Sequence, residues 1–130
     1  MHWVIMQKGK RYTSRPLLLR ALSALLITSM IIPLVFADVC CSIYHALYFR
    51  LHGIPLVPRS QYIVIDRHRL KKLNWIQRWN CVYCDYANGM VAWLKTVINT
   101  TEVYSCAIKH ASAAKGQEHQ KEYSEYAEYR

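Results

Sequence analysis

From residue 21 the chain runs 17 positions without a charge, meets Asp38, and then runs 11 more, to residue 49. An apolar stretch of this length reads as a membrane-embedded helical segment, bounded here at 17–50. As one helix, residues 21–49 would extend about 44 Å, well beyond the roughly 30 Å core of a bilayer. Pro33 removes a backbone donor inside the run and marks a kink. Two arrangements meet these constraints. One is a re-entrant helical hairpin turning near Pro33–Asp38. The other is a spanning helix over about 17–37, followed by an interfacial helix over 38–50. On a helix, Asp38, Ser42 and His45 fall at i, i+4 and i+7 and draw one narrow polar stripe, read as a wet interfacial face. Val35-Phe36-Ala37 satisfies the small-residue rule for signal cleavage. Against cleavage, the segment before the run is long, and the residues after the cut are again apolar.

Gly53, Pro55 and Pro58 make the next stretch an extended linker, 51–65. Tyr62–Ile65 within it is an isolated β-prone run. Residues 66–79 interleave charge with aromatic rings: Arg67, Arg69, Lys71 and Lys72, then Trp75 and Trp79 at i, i+4. That pattern fits a segment lying on a bilayer surface, with Asn74 and Asn80 as helix caps. From Cys81 to about Ile98, Val82, Tyr86, Met90, Trp93 and Val97 recur at helical spacing. Gly89 inside this pattern implies a close contact, because glycine otherwise weakens a helix. Asn99-Thr100-Thr101 reads as a turn that caps a second helix carrying Tyr104, Cys106, Ile108 and His110. Within the polar tail, 113–130, the run Glu118–Arg130 alternates charges with Tyr123, Tyr126 and Tyr129 and has little apolar surface to bury, so it is expected to fray.

Charge sharpens the membrane reading. Residues 1–85 hold 12 Lys/Arg against three acids, whereas residues 86–130 hold five of each. The excess therefore flanks the apolar run, where cations attract anionic lipid headgroups. Nucleic acid is a weaker partner for this chain, because the charge follows the membrane segment and no nucleic-acid motif accompanies it. Both flanks are basic, which favours placing both in the cytoplasm.

Five cysteines cannot pair fully within one chain. Cys81, Cys84, Cys106 and His110 form a C-x2-C-x21-C-x3-H pattern, the ligand set of a closed tetrahedral site for zinc or, second, iron. On two antiparallel helices, Cys81 and Cys84 would share one face and Cys106 and His110 another. The ion would then contribute folding energy to a small module spanning 66–112. His68 is a replacement ligand, and Lys109 is placed to offset thiolate charge. A redox dithiol at Cys81 and Cys84 is the alternative use of the same residues. The chain offers no catalytic motif.

Asp66-Arg67-His68, Leu73-Asn74-Trp75, Asn80-Cys81-x-x-Cys84-x-Tyr86-Ala87-Asn88-Gly89 and Cys106-x-Ile108-Lys109-His110 resemble a group of small bacterial membrane-anchored proteins without assigned activity. Tyr44-His45-Ala46-Leu47-Tyr48-Phe49 belongs to the same resemblance, which covers roughly residues 17–112. It implies a bacterial inner-membrane location and no particular chemistry.

The sequence thus predicts an all-α protein with a basic N-terminal segment, 1–16, and a membrane helix or re-entrant hairpin. A cytoplasmic helical hairpin clipped by a Cys3His site comes next. The expected role is accessory or scaffolding work at the membrane, with anionic lipids and another membrane protein as partners. Redox or metal handling through Cys81 and Cys84, and polybasic lipid or nucleic-acid binding, are the competing readings.

Overall fold

The computed structural model describes residues 16–72 and 75–130. Lys8, Lys10, Arg11, Arg15 and the cap position Asn74 lie outside the described residues. Among the described residues the fold is helical and contains no strand, only an isolated bridge between Ile108 and Ser124.

Helix α1 (Leu17–Ser29) is followed, after Met30, by α2 (Ile31–Leu51). Met30 itself is helical, at φ −65° and ψ −16°, so the two form one nearly continuous rod of 35 residues. The interruption falls where proline chemistry requires it. Pro33 has no N–H for the carbonyl four residues back, which is that of Ser29, the last residue of α1. No reversal occurs at Pro33–Asp38, and α2 runs through it unbroken. The re-entrant hairpin is therefore not formed: a proline defect in an otherwise strong helical segment bends the rod without reversing it. The rod is long and apolar enough to cross a membrane, and only 11% of its most apolar window is buried.

Helix α3 (Trp75–Ser105) is a single helix of 31 residues. The expected turn at Asn99-Thr100-Thr101 is absent, and so is the helical hairpin it would create. The hydroxyls of Thr96, Thr100, Thr101 and Ser105 donate to carbonyls four residues back at 2.8–3.0 Å. Side chains that favour a turn are thereby satisfied inside the helix. Val97 is fully buried one turn before Thr101, and Tyr44 on α2 meets the Thr101 hydroxyl at 2.8 Å.

Helices α2 and α3 run parallel. Asp38 pairs with Tyr86, and seven residues on, His45 packs edge-to-face on Trp93 at 5.2 Å between centroids. Two parallel helices need a long return connection, and residues 52–72 supply it as a strap in the groove between them. From the top of α2, Ile54 N–H bonds the Phe49 carbonyl at 2.8 Å. Val57 then donates its N–H to His45 Nε2 at 2.9 Å and accepts the Trp93 indole N–H at 3.2 Å. Lower down, Arg59 reaches Asp38, Tyr62 and Ile63 cross Gly89, and Arg67 reaches Asp85. The core lies where the three layers meet: Cys41, Phe49, Ile54, Trp93 and Val97.

The tail does not fray. Ser124 N–H bonds the Ala107 carbonyl at 3.0 Å, and Lys109 N–H bonds the Ser124 carbonyl at 2.9 Å. Glu102 at the end of α3 receives His119 and Gln120 at 2.8 Å each, and Tyr123 is buried. Two polar contacts to one carboxylate and one buried ring anchor a segment too hydrophilic to build its own core.

Candidate functional site

The four residues of the C-x2-C-x21-C-x3-H pattern are not brought together. Cys81 and Cys84 lie in the opening turns of α3, and Cys106 comes directly after its end. Because the helix between them is unbroken, Cys81 and Cys106 lie about 37 Å apart at the standard rise per residue. His110 lies beyond Cys106 on the exposed wall of a pocket shared with Lys109, Gln117, Gln120 and Lys121. Lys109 is engaged by Glu125 rather than by thiols. No group of three or more His, Cys, Asp or Glu side chains suited to a metal occurs among the described residues. The four residues therefore do not converge on one point in this fold. Stability should respond accordingly: Cys106→Ser and His110→Ala are expected to leave thermal unfolding unchanged, with or without chelator. A loss in both variants matching that of Cys81→Ser would restore the four-ligand site.

Cys81 and Cys84 share one turn and are half-buried. Beside them, Arg67 pairs with Asp85, whose side chain is 6% exposed. That hydrogen bond, with smaller attractions from Asp85, Cys81 and Cys84, holds the Arg67 guanidinium above its ordinary pKa. Asp85 Oδ2 and His68 Nδ1 are shielded from solvent and have no hydrogen-bond partner among the described residues. The sequence places Arg67 in a lipid-facing set, whereas in the fold it is committed to Asp85.

The most developed polar site is one the sequence shows only in part. Asp38, Ser42 and His45 face inward, not toward a wet interface. Arg59 spans the Asp38 carboxylate, with its second nitrogen at 2.6 Å from Oδ2 and its first also 3.2 Å from the Ser42 hydroxyl. Tyr86 donates to Asp38 Oδ2 at 2.6 Å. Arg59 also lies over the Trp93 ring, at 5.3 Å from its centroid. Burial, and next the bond to Asp38, pushes the Tyr86 hydroxyl up to about 12. It therefore stays a donor across the physiological range. The network fixes the strap between the helices. The Asp38 carboxylate is nearly enclosed by its partners, while Arg59 keeps part of its side chain toward solvent. The sequence does carry a signal for it, since a lone acid in an apolar helix needs a partner. Its partners lie 21 and 48 residues away, beyond any local pattern.

At the lower end of the fold, Trp75 and Trp79 are 77% and 58% exposed. Leu70, Arg69, Lys71, Lys72 and Arg78 around them are exposed as well. Comparison of the chain with models of known protein families, with curated proteins and with solved structures finds no match.

Proposed function

We propose that the protein is a membrane-anchored accessory protein, in which the α1–α2 rod holds a small helical body at the bilayer surface and no catalysis takes place. One observation carries this reading. The rod has two different faces over its second half. Its inner face, from Asp38 to Phe49, is consumed by the body. Its outer face stays apolar and exposed, through Leu25, Ile32, Phe36, Val39, Ile43, Leu47 and Leu51. A free-standing water-soluble helix would alternate that face with charge. The lower part of the face suits lipid; the upper part, Val39 to Leu51, suits a helix of a second membrane protein. A bacterial inner membrane with the body in the cytoplasm is the location this reading adopts, in keeping with five free cysteines.

Membrane retention tests it. The full chain is expected to remain in the pellet after alkaline carbonate extraction. Leu22→Asp together with Leu25→Asp should release it, since each acid near the centre of a membrane helix costs about 2.5–3.5 kcal/mol of insertion. Full release of the wild-type chain by carbonate would reject the anchor.

A second reading rests on the cysteine pair. Cys81 and Cys84, one turn apart on α3, would form a local disulfide by exchange with an oxidised disulfide partner, which takes up the two electrons and two protons. A reversible two-electron change in alkylation confined to these two thiols would support it.

A further inference from the structure

We infer that the protein meets the membrane a second time, through a basic–aromatic collar at the start of α3 that binds anionic lipid headgroups. This rests on the anchored reading above and adds where the bilayer surface cuts the fold.

Helix register places the collar along the rod. Asp38 meets Tyr86 and His45 meets Trp93, both at a separation of 48 residues, so α2 and α3 run in the same direction. Trp79 lies seven residues before Tyr86, toward the end of α2 that joins α1. The rod near that junction exposes Leu26, Ile27, Met30 and Ile32. The strap has returned to the same end and exposes Val64, Ile65 and Leu70 there. One end of the molecule thus collects apolar side chains from the rod, the strap and α3.

The charges at that end are mostly of one sign. Arg69, Lys71, Lys72 and Arg78 are exposed around the two indoles, while the nearby acid Asp85 is already neutralised by Arg67. Asp66 is the other acid of this stretch and is exposed beside them, which leaves a net excess of cations. Indole rings favour the boundary between hydrocarbon and headgroups, and each cation near an anionic surface contributes about 1 kcal/mol. A protein partner is a poorer match, because the patch has few acids of its own to pair with a mixed-charge surface. The collar cannot sit deep in hydrocarbon, since it carries several full charges. It therefore marks the bilayer surface near the junction of α1 and α2. α1 is then the immersed part, and the C-terminal end of α3 with its folded tail is distal. At about 1.5 Å per residue, Trp93 lies about 21 Å farther from the surface than Trp79.

The test uses the full chain reconstituted in vesicles and first checked for carbonate-resistant retention. Lipids carrying a nitroxide near the headgroup are expected to quench tryptophan emission in vesicles containing phosphatidylglycerol. In a Trp3→Phe background, the double variant Trp75→Phe, Trp79→Phe should lose most of that quenching, since the buried Trp93 is out of reach. The quadruple variant Arg69→Gln, Lys71→Gln, Lys72→Gln, Arg78→Gln should lower the quenching to that seen in pure phosphatidylcholine. A chain that is retained yet shows no difference between the Trp3→Phe parent and the double variant would overturn the collar while leaving the anchor standing. Equal quenching in neutral and anionic vesicles would overturn the headgroup claim. A chain that is not retained at all would fail the anchored reading itself.

Discussion

Gly89→Ala is expected to destabilise the body by about 2 kcal/mol, although the same change in an open helix would stabilise it by about 1 kcal/mol. The two effects have opposite sign, and the geometry decides between them. A Cβ on residue 89 would lie 2.4 Å from the Tyr62 carbonyl oxygen and 2.8 Å from Ile63 Cα. Both are backbone atoms, so no side chain can rotate out of the way. The strap at this point is also held from within: Tyr62 and Ile63 both donate their N–H groups to the Arg59 carbonyl, at 3.0 and 3.2 Å. Arg59 is in turn fixed on Asp38. Overpacking of this kind costs about 1–3 kcal/mol, and lifting the strap off the helix would add to it. Gly53→Ala serves as the comparison. Gly53 has φ of +65° and nothing within 4 Å of where a methyl group would sit. Its cost is conformational alone, about 1–2 kcal/mol, and Asn should restore part of it. Chemical denaturation of the detergent-solubilised chain, with tryptic cleavage at Arg59 and Arg67 as a local readout, measures both. A Gly89→Ala protein more stable than wild type would show that the strap does not pass over this residue.

Gly89 also shows how far local pattern reaches. The need for close approach is legible, because a glycine inside an apolar 3.6-residue pattern has to be explained by whatever touches it. The identity of that neighbour is not legible. A second helix is the expected one, and the actual one is the extended backbone of the strap, about 26 residues earlier. The same limit applies elsewhere. The apolar rod and the helical run from Cys81 can be read from periodicity alone. The turn expected at Asn99–Thr101 does not form, because such side chains favour turns only when they have no better use. Here Thr100 and Thr101 bond back along the helix, and Thr101 also meets Tyr44. Without that turn the Cys3His geometry goes too, since its two halves depend on the chain doubling back. The polar stripe is legible in place but not in direction, because direction depends on a partner arginine across 21 residues. Tail order depends in the same way on Glu102, a single acid whose partners lie 17 and 18 residues further on.

The asymmetry of the Asp38–Arg59 pair leads to the second large effect. Asp38 keeps 12% of its side-chain exposure and Arg59 keeps 40%. Removing the acid leaves a guanidinium that can turn to solvent. Removing the arginine leaves a nearly enclosed carboxylate with only Tyr86 and Ser42 as donors. Breaking a buried pair from the side that strands a charge costs about 3–5 kcal/mol. Arg59→Met should therefore destabilise more, by about 3 kcal/mol, than Asp38→Asn, by about 2 kcal/mol or less. Combining them should cost clearly less than the sum, because the stranded charge is gone and the methionine side chain can still cover Trp93. A double-mutant cycle by chemical denaturation reads this directly, with Tyr86→Phe as an added arm to separate the hydroxyl from the ion pair. Strict additivity would mean that the two side chains act independently and that the strap is held by the apolar core alone. The expected coupling instead ties the strap to the rod at the residue where the apolar run is first interrupted. That is how a single acid within an otherwise lipid-like helix sets the start of the folded body.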